Sequence, residues 1–184
     1  MPDGFKAPRP QVAGGTYHLV SRGVRKLPIY TDDTSRRRFL GLLDETMALY
    51  EWELHSWCLM TNHFHMLVTT VEPTVSAGMQ YLNGCYAQWF DWRHGYEGHV
   101  FERRFWSELL LTDWHFFEAA RYIVLNPVRA RLCPSAEDWE WSSYRAMVGL
   151  TTIGPKLSPW LLGEFGPGFD KARTNFAAFI HEAE

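Results

Sequence analysis

Cysteine is scarce in this chain and unpaired. Cys58, Cys85 and Cys133 are odd in number and show no Cys-x-x-Cys spacing. That excludes a disulfide framework and a cysteine-built zinc site, and it predicts reduced thiols in a cytoplasmic protein. No apolar run reaches the length of a membrane span. Met1 to Gly15 is polar, carries three prolines and lacks the apolar segment of a signal peptide. An excess of one charge is also missing. The net charge is −3, which by itself does not advertise nucleic-acid binding. No internal repeat is visible.

Aromatic and apolar residues are abundant instead. At 46% hydrophobic and 16% aromatic, 184 residues can pack one core, with room for a short appendage. The charge is unevenly spread. Residues 1–40 hold eight Lys/Arg against three Asp/Glu. Residues 41–135 hold six against eleven, and residues 136–184 four against seven. A basic first quarter on an acidic remainder permits a local phosphate-binding face. Charge alone fits ordinary solvated surface equally well.

Residues 1–13 read as a flexible N-terminal arm. Thr16 to Arg22 then alternates Tyr17, Leu19 and Ser21 with His18, Val20 and Arg22, which predicts a strand. Asp32-Asp33-Thr34-Ser35 supplies helix N-cap chemistry. Phe39, Leu42, Leu43, Thr46, Met47 and Tyr50 follow at helical spacing. Arg36, Arg37 and Arg38 occupy that helix's first turn, the wrong end for its dipole, which fits either solvated surface or a phosphate-facing role. Trp52 to Met60 reads as a strand, Thr61-Asn62 as a break, and His63 to Thr70 as a third strand ended by Pro73. Val75 to Trp92 reads as a helix, Trp106 to Leu111 as a strand, and the stretch from Thr112 or Asp113 to about Leu125 as a helix. Pro127 disfavours helical geometry at Asn126 and so marks that helix's end. Trp139 to Tyr144 is an aromatic patch placed to close over the domain. The order β, α, β, β, α, β, α predicts an α+β fold: a ferredoxin-like sandwich with one mostly antiparallel sheet and helices on one face.

The informative stretch is Leu59 to Val68. Its strand-like run places His63 and His65 on one face, with Phe64 and Met66 on the other. Two imidazoles one strand step apart can share a metal ion. They can equally be half-buried structural histidines. On the helix before Pro127, Tyr122 and Asn126 are four residues apart and share a face. A phenol can attack phosphorus and an amide oxygen can bind a hard cation. Amphipathic packing of the tyrosine and a helix stop at the asparagine are the plainer readings.

The wider pattern resembles a known family. Asn62-His63-Phe64-His65, the segment Gly98 to Phe105, Tyr122-Ile123-Val124-Leu125-Asn126-Pro127-Val128-Arg129-Ala130, and Trp141-Ser142-Ser143-Tyr144 follow in the order found in single-tyrosine HUH transposases. They most resemble the REP-associated tyrosine transposases of bacteria, whose domain is of the IS200-like type. The resemblance covers about residues 14–148, leaving 149–184 as a C-terminal extension of unknown role.

The resemblance implies metal ligands at His63, His65 and Asn126, and a nucleophile at Tyr122. It implies a divalent cofactor, Mg²⁺ or Mn²⁺, and a single-stranded DNA partner bearing a hairpin of the REP-like palindrome type. A monomer or a homodimer is expected, in the bacterial cytoplasm near the nucleoid. The expected activity is that of an endonuclease and strand transferase working through a 5′-phosphotyrosine intermediate. Two imidazoles and one amide make an incomplete, fairly hard ligand set, which suits a catalytic ion better than structural zinc.

Contacts to DNA are expected from Arg22, Arg25, Lys26, Arg103, Arg104 and Arg129, which lie near strand ends or beside the motifs. Tyr17, Trp106 and His99 are candidates for stacking on unpaired bases. Two rival functions fit the same residues. One is a catalytically silent, single-stranded nucleic-acid-binding regulator derived from a transposase. The other is a metal-dependent hydrolase in which water replaces Tyr122 as nucleophile.

Overall fold

A computed structural model describes residues 11–152 and 154–182. The expected arm over residues 1–13 therefore lies, up to Pro10, outside the described residues. Four strands form one sheet: β1 (Thr16–Arg22), β2 (Trp52–Leu59), β3 (His63–Thr70) and β4 (Trp106–Leu110). Their order is β2-β3-β1-β4, with every neighbour antiparallel. Helix α1 (Asp33–Tyr50) joins β1 to β2, and α2 (Val75–His94) joins β3 to β4. That chain order on that strand order is the split βαβ arrangement of ferredoxin-like folds. The α+β reading of the sequence holds.

Local chemistry explains the boundaries. Asp32 caps α1 by accepting from the Ser35 amide at 2.8 Å, and the Ser35 hydroxyl bonds back to the cap to complete a capping box. Arg36 and Arg37 pair with Asp33 at 3.6 and 3.8 Å, and Arg38 pairs with Glu45 at 3.8 Å. Both Arg36 and Arg37 also lie over Trp141, so these side chains are engaged with the surface of their own domain. Helix α2 stops at Gly95, whose left-handed backbone (φ 59°) suits a residue without Cβ.

The alternation along β1 and β3 sends Tyr17, Leu19, Phe64, Met66 and Val68 into a core beneath α1 and α2. Gly78 lets α2 settle there. A Cβ built at Gly78 would lie 2.2 Å from the buried Trp52 ring, whose indole N–H is fixed to the Thr74 hydroxyl at 3.0 Å. Gly78→Ala is expected to cost about 1–3 kcal/mol by overpacking, despite alanine's better helix propensity. A thermal melt by circular dichroism checks it; a midpoint at or above wild type would contradict this packing.

The opposite face differs from the expected single-sided cover. It carries a further helix, α3 (Asp113–Arg129), packed on β2, β3 and β4. Cys58 and Leu67 from the sheet, with Met60 just past β2, meet Phe116, Ala120, Ile123 and Val124 from α3 in a second core. The helix also runs past Pro127 to Arg129. Proline removes one ladder donor, and buried Leu125 and Pro127 hold the next turn in place, closed by the Ala130 amide on the Asn126 carbonyl at 2.9 Å. Tyr122, Asn126 and Arg129 therefore share one continuous helical face.

The aromatic patch closes the β2 edge. Leu59 donates to the Trp141 carbonyl, Ser143 donates to the Trp57 carbonyl, and Cys58 and Ser142 form a bridge. Beyond it come α4 (Tyr144–Met147), α5 (Trp160–Gly163) and α6 (Phe169–His181). Leu161, Phe176 and Ile180 of this extension join the α3 core. Among the described residues, no helix is long and apolar enough to cross a membrane.

Candidate active site

Strand register assembles the site. On the face covered by α3, Arg22 lies opposite His63, Val20 opposite His65, and His18 opposite Leu67. His18 is thereby diagonal to His65, within reach of a long side chain. The two rings join through His18 Nε2 and His65 Nδ1 at 2.9 Å. The His63 and His65 rings are 5.0 Å apart. Tyr122 reaches down from α3, its ring 5.6 Å from His65 and 5.9 Å from His18. The Arg129 guanidinium sits 5.2 Å from the Tyr122 ring centre, one cation on the face of the phenol.

These groups border an open cleft of about 760 Å³. His65, Tyr122, Arg22, Arg103, Arg104 and Arg129 all line it, with Trp106 on the β4 side. His63 stands beside His65 but outside the lining, and so does Asn126. Asn126 donates its amide to the Tyr122 carbonyl at 3.2 Å, which leaves Oδ1 without a hydrogen bond among the described residues. Arg25 and Lys26 are exposed on the loop after β1, outside the cleft. That loop is tied to the β2–β3 turn: Asn62 Nδ2 donates to the Lys26 carbonyl at 2.8 Å, and the Gly23 amide donates to the Asn62 carbonyl at 2.8 Å.

Asn62 also settles the protonation of His63. Its Nδ2 faces a carbonyl, so its Oδ1 faces His63 Nδ1, at 2.7 Å. An amide oxygen only accepts, so Nδ1 of His63 carries the proton and Nε2 keeps a lone pair. Nε2 of His65 is buried and has no hydrogen-bond partner. A buried, unpartnered imidazole nitrogen is unfavourable unless something fills the role, as a cation would. Burial pushes His63 down to about 4, with the Arg22 charge adding to it. Burial also holds His65 well below the usual histidine range, helped by His18, His63 and Arg22. Both are neutral near pH 7, the form that ligates metals. Among the described residues, no three His, Cys, Asp or Glu side chains gather as a metal centre. An ion held by this histidine pair would need any further protein ligand to be of another type, such as an amide oxygen.

One sequence expectation changes. Tyr17 cannot stack on bases. It is 1% exposed in the α1–α2 core, and its hydroxyl accepts from the Val12 amide at 2.7 Å. The strand alternation already places it on the face opposite the histidines. Trp106, half exposed, keeps its place on the cleft wall and meets His18 edge-on at 5.3 Å; His99 is exposed in the loop before β4. His18 was not expected in the site. Its signal was its position on the β1 face that carries Val20 and Arg22, but joining that face to His65 requires knowing that β1 pairs with β3.

Known proteins give an independent comparison. A sequence profile described as "Transposase IS200 like" matches residues 11–122, more than half of the chain. A Haemophilus influenzae protein described as a REP-associated tyrosine transposase is 26% identical over 117 residues, spanning 58% of this chain and 66% of that protein. The fold is similar to that of a REP-associated tyrosine transposase solved bound to a REP hairpin. That match has a TM-score of 0.66 at 19% identity and covers 83% of this chain and 92% of the other. A Deinococcus radiodurans transposase structure aligns at a TM-score of 0.45 and 15% identity, over 70% of this chain and 92% of the other. With the profile match running from Gln11 through β1, both histidines and α3 to Tyr122, the chain belongs to the IS200-like transposase family.

Proposed function

We propose that this protein cuts and rejoins single-stranded DNA beside a hairpin, using Tyr122 as nucleophile. The observation that carries the reading is the meeting of Tyr122 with His65 in an open cleft bordered by Arg22, Arg103, Arg104 and Arg129. The Tyr122 side chain is 41% exposed, so a phosphodiester can reach its hydroxyl. The similarity to proteins described as REP-associated tyrosine transposases, one of them solved bound to a REP hairpin, supports a REP-like hairpin as the DNA partner.

The chemistry follows from these groups. The arginines hold the phosphate backbone by charge and hydrogen bonds. Arg129 lies over the phenol ring at the cleft. Tyr122 Oη attacks the scissile phosphorus, the bond to the 3′ oxygen breaks, and its electron pair leaves with that oxygen. The phenolic proton passes to solvent and the departing oxygen takes one up. The products are a 5′-phosphotyrosine and a free 3′-OH. Because the phosphodiester energy is kept in the tyrosyl ester, a 3′-OH can reverse the step and join strands. His63 and His65 would hold a divalent ion through their Nε2 atoms, with Asn126 Oδ1 as the amide ligand. Mg²⁺ or Mn²⁺ bound there would supply Lewis-acid polarisation of the scissile phosphate.

The test is a denaturing gel after mixing the protein, Mn²⁺ and end-labelled single-stranded DNA containing hairpins from beside its own gene. A labelled protein band that disappears with EDTA is the expected result. Cut DNA without labelled protein would replace the tyrosine route with hydrolysis by water. Hairpin binding with no cutting would leave a DNA-binding regulator.

A further inference from the structure

His18 lies deep in the site, 7% exposed. Among the described residues its side chain has one hydrogen bond, between Nε2 and His65 Nδ1, at 2.9 Å. Two neutral imidazoles can share one proton in this bond in either of two ways. If His18 donates, His65 Nδ1 accepts and the proton of His65 sits on Nε2. Nε2 is buried and finds no acceptor, so that arrangement strands an N–H in the interior. If His65 donates, Nε2 bears a lone pair directed away from His18, and His18 carries its own proton on Nδ1. Only the second arrangement makes His65 a ligand. His63 is already fixed in the same way by Asn62.

We propose that His18 is a positioning residue that accepts the His65 Nδ1 proton and thereby fixes His65 in the tautomer whose Nε2 can bind a cation. The value of this to the enzyme rests on the metal-dependent cleavage proposed above; the tautomer itself does not. Geometry beyond the bond supports the role. The His18 ring is held edge-on by Trp106 at 5.3 Å and lies 5.2 Å from the His65 ring, so its Nε2 has little freedom to turn away. It also meets the Tyr122 ring edge-on at 5.9 Å. Outer partners of ligating histidines commonly alter metal affinity by about 10–100-fold when removed.

The tautomer is read directly by long-range ¹H–¹⁵N NMR of the metal-free, ¹⁵N-histidine-labelled protein. His65 is expected with Nδ1 protonated and Nε2 bare; a proton on Nε2 overturns the proposal. Mn²⁺ binding, followed by electron paramagnetic resonance of free Mn²⁺, gives the functional arm. His18→Leu is expected to weaken Mn²⁺ binding about tenfold or more and to scramble the His65 tautomer. His18→Gln, whose Oε1 can accept the same proton, is expected to stay within about threefold of wild type and to keep the tautomer. Circular dichroism melts of both variants separate a folding defect from a positioning one. If His18→Leu folds, keeps the tautomer and binds Mn²⁺ as wild type does, His18 has no such role. If wild type shows the expected tautomer but neither binds Mn²⁺ nor forms a labelled adduct, the cleavage reading fails and the positioning by His18 stands.

Discussion

Tyr122→Phe is expected to lower formation of the covalent protein–DNA band by at least about 10³-fold, because the nucleophilic oxygen is gone. Hairpin binding should stay within about twofold. The reason is geometric. The ring keeps its contacts with His65 at 5.6 Å and with Arg129 at 5.2 Å, and the hydroxyl has no hydrogen-bond partner among the described residues. Removing an exposed, unbonded hydroxyl costs the fold little. The substitution therefore separates chemistry from structure unusually well. Gel assays for the adduct and mobility shifts for the hairpin measure the two quantities on one preparation. An adduct that persists in Tyr122→Phe would take Tyr122 out of the role, and the search for a nucleophile would move to the other exposed hydroxyls near the cleft.

The same separation fails for the histidines. His63 and His65 sit between the sheet and α3, and His65 is 5% exposed. Removing either side chain opens space beneath α3 and disturbs the carrier of Tyr122. Loss of cleavage in such a variant mixes metal binding with the placement of the nucleophile.

Most of the sheet was legible because its strands alternate. Tyr17, Leu19, Phe64 and Met66 went to one core and His18, His63 and His65 to the other face, as period two requires. The hairpin at Thr61-Asn62 and the cap at Asp32 were local signals with local causes. What lay outside a sequence reading was pairing between distant strands. His18 and His65 are 47 residues apart in the chain, and only the β2-β3-β1-β4 order makes them neighbours. The end of α3 was misread for a related reason. Proline's local preference argued for a stop at Asn126, but burial of Leu125 and Pro127 outweighed it. The longer helix is what brings Arg129 over Tyr122. Helices on both faces were also hidden, since the apolar side of α3 gives its period but not the sheet face it covers. The net charge was silent for a different reason: an overall −3 does not show the local grouping of Arg22, Arg103, Arg104 and Arg129 around one cleft.

Acid should unfold this protein earlier than its carboxylates alone would require. Burial lowers His18, His55 and His63 to about 4 each, and holds His65 well below its ordinary value. The unfolded chain takes up protons at these sites near pH 6.5 while the folded chain does not. Stability therefore falls as the pH drops from about 6.5 and levels off for these groups near pH 4. Between pH 6.5 and 5 the loss is expected to be about 4 kcal/mol after allowing for partial screening. In a chain of this size that is roughly 10 °C in melting midpoint. Asp32, lowered by its bonds to Ser35 and by Arg93, contributes only at more acid pH. His55 isolates the effect from the cleft. It lies under α3 against Phe116, with Nε2 bonded to the Thr69 hydroxyl at 2.8 Å, away from His63 and Tyr122. His55→Gln should flatten the fall by about a quarter, whatever it does to the midpoint at pH 7. Melts in EDTA at pH 7, 6.5, 6, 5.5 and 5 measure both slopes. A wild-type midpoint that is flat over that range would mean these histidines are not held neutral by the fold, and the neutral ligand pair at His63 and His65 would lose its physical basis.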